Sequence, residues 1–142
     1  MKPLKAVKLI IIHCVANRCD RPFSVEDLIA CGKAKFGQCS YHYYVRYNGD
    51  IIPLLPESVQ GVHARHYNHC SLGIVYEGGL DSQGNPADTR TEAQKRSLYE
   101  LLKNLLRDYP DAKILGHRDL PSVAKACPCF DASKEYATLQ SN

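Results

Sequence analysis

No stretch of the 142-residue chain approaches the roughly 20 consecutive apolar residues that a membrane-spanning helix needs, so no membrane insertion is expected. The basic segment Met1 to Lys8 precedes an apolar run, Leu9 to Ile12, that is too short for the apolar centre of a secretion signal. The expectation is a soluble, cytoplasmic product. Lysines and arginines do not cluster among aromatic residues, which removes the footprint of a nucleic-acid binder. A formal net charge of +3 is unremarkable and selects no partner. Compact metal motifs such as HExxH or paired CxxC are missing as well. Nothing marks a second module, so residues 1–142 read as one domain, monomeric, and large enough to bury a core without staples.

Cysteine, by contrast, is plentiful. Seven is an odd number, so the cysteines cannot all pair within the chain. Cys14 and Cys70 adjoin strand-like runs and read as small core residues. Cys31 and Cys39 bracket the end of a predicted helix and are the best candidates for a disulfide.

Hydrophobic patterning predicts an α/β fold, a central mixed sheet flanked by helices. Val7 to Ile12 is a near-continuous aliphatic run, the signature of a strand buried on both faces and hence central. Ser24 with Asp27 starts a helix from Val25 to Lys35, which ends near Gly37. Tyr41 to Tyr47, then Asn48-Gly49, then Asp50 to Leu54 reads as a hairpin around a type I′ turn. Alternation along its first strand puts Tyr41, Tyr43 and Val45 on one face and His42, Tyr44 and Arg46 on the other. Ser71 to Tyr76 is another strand, and Gly78 to Asp88 an exposed loop. Thr91 with Gln94 forms a capping box for a helix from Glu92 to Tyr109, whose leucine stripe is core. Lys113 to Gly116 returns as a strand, Asp131 caps a last short helix through Tyr136, and the tail beyond it is expected to fray.

The chemistry gathers at strand ends. Gly116-His117-Arg118-Asp119 begins where the apolar run Ala112 to Leu115 gives out, and Lys125-Ala126-Cys127-Pro128-Cys129 follows closely. His13 ends the run Val7 to Ile12. Imidazole and thiolate suit zinc, and catalytic zinc sites use three protein ligands with water in the fourth position. Water bound in such a site has a pKa of roughly 7 instead of about 15.7. A thiolate ligand cancels one of the two zinc charges and weakens the Lewis acid. A cation near the reacting carbonyl would compensate, and Lys125 stands two residues before Cys127. Cys129 is a rival to Cys127 as the ligand.

Several short runs occur in a telling order: Ile12-His13-Cys14; Tyr41-His42-Tyr43; His63-Ala64 with Tyr67-Asn68-His69 and Ser71-Leu72-Gly73-Ile74; His117; Lys125-Ala126-Cys127-Pro128; Phe130-Asp131. Together they resemble the type 2 N-acetylmuramoyl-L-alanine amidases, a family that includes small phage lysozyme amidases and the peptidoglycan recognition proteins. The resemblance is collinear from about Leu9 to Asp131. It implies one zinc ion per chain on His13, His117 and Cys127, with Tyr41 and Lys125 as catalytic residues. It also implies that His63 and Asn68 line a groove for peptidoglycan or muramyl peptides. The reaction implied is hydrolysis of the amide between N-acetylmuramic acid and L-alanine. Two alternatives belong to other classes: a recognition module that binds muramyl peptides without cutting them, and a metal-independent cysteine hydrolase using Cys127 or Cys14.

Overall fold

The structure, a computed structural model, describes residues 1–121 and 123–140. Strand β1 (Leu9–Cys14) grows from the predicted aliphatic run but extends further, so that His13 lies inside the strand instead of beyond it. A two-residue strand β2 (Asn17–Arg18) precedes helix α1 (Val25–Phe36). The Ser24 hydroxyl caps α1 by accepting from the Asp27 amide, and Gly37 ends it in the left-handed region at φ 76°.

Strands β3 (Tyr43–Val45) and β4 (Ile51–Pro53) pair antiparallel as a hairpin. The turn differs from the type I′ expectation. Of its two central residues only Gly49 has positive φ, at 91°; Asn48 does not. The Gly49 amide donates to Arg46 O and the Arg46 amide to Asp50 O, which makes a three-residue loop with glycine at the left-handed position.

Strand β5 (Ser71–Tyr76) is buried along its whole length, and β6 (Gly79–Leu80) pairs with β2 in a small second sheet. Helix α2 (Glu92–Asp108) carries the predicted reciprocal Thr91–Gln94 capping box. Strand β7 (Lys113–Gly116) and the short helix α3 (Ala132–Glu135), capped by Asp131, follow. Up to residue 140 the final segment is a short 3-10 turn (Ala137–Gln140) set against β7. Gln140 accepts from the Ile114 amide and donates to Ala112 O, satisfying both main-chain groups at the start of the β7 edge. Ser141 and Asn142 lie outside the described residues.

The main sheet has the order β4-β3-β5-β1-β7, and every pairing but β3–β4 is parallel. β1 is therefore central, with Ile10, Ile11 and Ile12 wholly buried. Alternation divides its side chains between two layers. Ile10, Ile12 and Cys14 pack with Leu98, Leu101, Leu102 and Leu105 of α2. Ile11 points the other way, toward Ala64 and Leu120, and on that side Val75 and Tyr44 meet Leu28 of α1. Odd positions of β1 thus face the α1 side, which is where His13 must point.

All seven cysteines are free thiols, so the expected Cys31–Cys39 disulfide is not formed. Cys31 lies on the exposed side of α1, whereas Cys39 is buried with its Sγ directed at Tyr41 O. The core assignment of Cys14 and Cys70 agrees with their burial.

One buried charge ties three segments together. The Glu77 carboxylate accepts from the Arg46 guanidinium and from the Phe23 and Tyr47 amides. Burial alone would raise the Glu77 carboxyl, but these donors outweigh it and hold the group below its usual 4.5. A depressed folded pKa contributes stability that is complete above the unfolded value and is lost as pH falls through the folded one. We expect Glu77→Gln to lower stability by about 1–3 kcal/mol at neutral pH, with the gap to wild type closing below pH 4.5. Urea titrations at the two pH values check it; a gap independent of pH would contradict it.

Candidate metal centre and groove

Parallel register decides where the two histidines emerge. Ile12 on β1 stands opposite Gly116 on β7, so His13 and His117, the next residue on each chain, come out at the same level. Their ring centroids are 4.6 Å apart. The loop after β7 then returns a thiol to them. The Arg118 amide donates to Cys127 O, the Tyr76 hydroxyl donates to Pro128 O, and Asp119 Oδ2 accepts from the Gly116 amide, so the loop is pinned at both ends. A side chain at position 116 would strike Pro128, since a Cβ there would lie 2.6 Å from its Cδ. Glycine is what lets the loop close over the strand end.

The outcome is a cluster in which ligand atoms of His13, His117 and Cys127 all lie within 4.8 Å of one another. The rival Cys129 is excluded from it. Its backbone sits at φ 72° and its Sγ is turned toward Gly79 O at 3.3 Å and Cys14 Sγ at 4.0 Å. Two imidazoles and a thiol within this radius fit a zinc-type ion by donor softness and by number. Their protonation fits too. The Cys14 thiol, then His117 and His13, draw the Cys127 thiol far below its ordinary range and make it a thiolate, with the Cys14 amide also donating to Cys127 Sγ at 3.2 Å. Burial lowers His13, so its ring is neutral at neutral pH and keeps a lone pair for a metal.

A cavity of about 630 Å³ opens over this cluster, and His13, Tyr41, His63, Asn68, His117, Lys125 and Cys127 all line it. Every site residue expected from the sequence therefore faces one space. Tyr41 reaches it by a different route than alternation implied. Regular pairing begins only at Tyr43, so the parity assumed from residue 41 does not hold; Tyr41 packs beside Tyr44 and Val75, while Tyr43 and Val45 join the α2 layer. The Tyr41 ring centroid is 5.2 Å from that of His13, and burial raises its phenol so that it stays a hydrogen-bond donor. Lys125 is exposed on the rim.

The other histidines separate cleanly. His42 is wholly buried and structural: Nε2 donates to Val59 O and Nδ1 accepts from the Gly73 amide. His66 and His69 are exposed and line no part of the cavity. His63 is buried beneath it, with Nδ1 2.9 Å from His13 Nε2 and Nε2 3.2 Å from Ser71 Oγ. Both His63 nitrogens are thus engaged within the protein. Asn68 Oδ1 accepts from the His63 and Ala64 amides and shapes the loop, which leaves its amide nitrogen for a ligand.

Residues that sequence reasoning did not single out also border the cavity: Lys35 and Phe36 from the end of α1, and Arg65. The Cys14 thiol, read from the sequence as a core residue and as an alternative nucleophile, backs Cys127. No local pattern distinguishes these positions; they reach the site through the packing of α1 and β1.

An α/β domain with two imidazoles and a thiolate at the bottom of an open groove has the make-up of a metallohydrolase site. A sequence profile of the N-acetylmuramoyl-L-alanine amidases matches residues 3–130. The chain belongs to this family. It is 31% identical over 134 residues to the endolysin of Enterobacteria phage T3, covering 94% of this chain and 87% of that protein. Among solved structures, the N-acetylmuramoyl-L-alanine amidase LysC from Clostridium intestinale URNW superposes with a TM-score of 0.79 at 24% identity, over 96% of this chain and 87% of that one. Human PGRP-IBETAC in complex with glycosamyl muramyl pentapeptide shares the fold with a TM-score of 0.74 at 21% identity, over 96% and 86% of the two chains.

Gly73 is where β5 makes room for the His63 ring, because a Cβ would meet it at 2.6 Å. We expect Gly73→Ala to destabilise the protein by about 1–3 kcal/mol, as overpacking of a filled site does. Denaturant midpoints against wild type measure it, and an unchanged midpoint would show that His63 is free to move aside.

Proposed function

We propose that the chain is a zinc-dependent N-acetylmuramoyl-L-alanine amidase that hydrolyses the amide between the lactyl carbonyl of N-acetylmuramic acid and the L-alanine of the stem peptide. The observation that carries this reading is the convergence of His13, His117 and Cys127 donor atoms within 4.8 Å at the base of a groove, in a chain of this family. His13, His117 and Cys127 would hold one zinc ion. When bound, zinc supplies Lewis acidity toward the scissile carbonyl and acidifies water.

The remaining groups act on the substrate. Water adds to the carbonyl carbon, and negative charge develops on its oxygen. The Lys125 ammonium, on the cavity rim, stabilises that oxyanion electrostatically. The Tyr41 phenol, protonated because burial raises it, donates a hydrogen bond that orients the attacking water or the carbonyl oxygen. The C–N bond then breaks as the proton given up by the attacking water passes to the alanine nitrogen, releasing the lactyl carboxylate and the free amino group of L-alanine. Asn68 contributes its amide nitrogen to the muramyl peptide. His63 lines the groove with both ring nitrogens already bonded within the protein.

The chain would act as a monomer, on peptidoglycan or muramyl peptides. Among the described residues no helix is long and apolar enough to cross a membrane. Synthesis in the cytoplasm and access to the wall on lysis would suit a relative of phage endolysins.

Three substitutions test the assignment. Cys127→Ser should weaken zinc binding by more than the roughly 10–100-fold typical of an outer-shell partner and abolish peptide release, while Cys129→Ser should leave both intact. Lys125→Ala should keep one zinc per chain and lose about 10²–10³ in turnover, the scale of a lost oxyanion donor. Measurement is by metal analysis and by release of stem peptide from purified peptidoglycan. Full activity in Lys125→Ala would remove that residue from the mechanism. Activity of the wild-type chain after metal removal would point instead to Cys127 as a nucleophile beside a histidine base, an arrangement its thiolate character also suits.

A further inference from the structure

The bonding of His63 runs in a chain away from the candidate ligand His13, and the direction of each link can be read. Ser71 Oγ lies 2.7 Å from Tyr67 O. A carbonyl can only accept, so the single Ser71 hydroxyl proton is spent there. The contact of 3.2 Å between Ser71 Oγ and His63 Nε2 must then have the proton on His63 Nε2. His63 is buried, and its described hydrogen-bond partners, an imidazole and a hydroxyl, carry no negative charge. A charged ring there would be costly, so His63 is neutral and its Nδ1 is a lone pair. Across the 2.9 Å contact, His13 Nε2 must supply the hydrogen.

We propose that His63 and Ser71 are positioning residues: the relay Tyr67 O, Ser71, His63 fixes His13 as its Nε2–H tautomer and thereby turns the His13 Nδ1 lone pair into the metal site. Metal-ligating histidines commonly donate their other N–H to a fixed acceptor, which sets ring orientation and raises ligand basicity. Here the acceptor is a second histidine, itself locked by a serine. The fold holds the relay in place from two sides. Ser71 and Gly73 belong to β5, the strand paired with β1. The His63 ring rests against Gly73 at a distance no side chain at 73 would permit. The Asn68 carbonyl, accepting from the His63 and Ala64 amides, fixes the backbone that carries the ring.

This inference rests on the metal reading given above, and its test separates the two. Zinc uptake by wild type is measured first. The protein is then labelled with nitrogen-15, stripped of metal, and its histidine tautomers are read by long-range proton–nitrogen NMR. His13 and His63 are expected as Nε2–H tautomers, and on loading with cadmium-113 the metal–nitrogen coupling should fall on His13 Nδ1. Competition titrations give the energetic arm. His63→Leu should bind zinc about 10–100-fold more weakly, while His63→Asn, whose Oδ1 can take the place of Nδ1 as acceptor, should recover most of that loss. Failure of wild type to bind zinc overturns the metal reading and this inference with it. Zinc binding with the coupling on His13 Nε2, a His13 proton on Nδ1, or undiminished affinity in a folded His63→Leu protein overturns the relay alone.

Discussion

The parallel pairing of β1 between β5 and β7 is the constraint from which the site follows. One ladder sets Ile12 opposite Gly116 and so delivers His13 and His117 to a common level; the other sets β1 beside the strand that carries Ser71 and Gly73. Because successive side chains of β1 alternate, the same strand that sends Ile10 and Ile12 into the α2 layer must send His13 to the opposite face. A slip of one residue would bury the histidine under α2 and expose an isoleucine to the groove. The apolar core therefore enforces the chemistry above it, and the loop from His117 to Phe130 has only to return Cys127 to a place already fixed.

The electrostatics of the groove are divided in depth. At its base the groups are kept in the state that suits a metal: burial holds His13 neutral, and the surrounding imidazoles and thiol make Cys127 a thiolate. At its rim Lys125 is exposed on the substrate side. The thiolate at the base tempers whatever cation the donors hold, and the ammonium at the rim offers positive charge where a carbonyl oxygen would need it. Tyr41 stands between, as a buried donor.

Much of this was legible in the sequence because it is written in local patterns. The aliphatic run of β1, the Thr91–Gln94 box and leucine stripe of α2, and the glycine that ends α1 each state their element without help from the rest of the chain. The candidate ligands were legible through donor type and strand-end position, sharpened by the ordered family resemblance. What stayed hidden depends on three-dimensional register. Tyr41 reached the groove against the parity expected of it because pairing starts at Tyr43. Asn48-Gly49 suggested a two-residue turn, yet the hydrogen bonds of Arg46 close a longer one. The choice of Cys127 over Cys129 was open until the backbone at Cys129 turned its thiol toward Gly79. His63 looked like a groove residue, and only the contacts to His13 and Ser71 show how fully its nitrogens are occupied.

The central claim is that two histidines set level by β1 and β7, with a thiolate returned to them by the loop, make a hydrolytic metal site. The most direct measurement is zinc content per chain taken together with release of stem peptide from purified peptidoglycan, before and after a chelator. The account predicts one zinc, and release of peptides bearing a free L-alanine amino terminus that stops on chelation and returns with added zinc. Release that continues with the metal removed would contradict it.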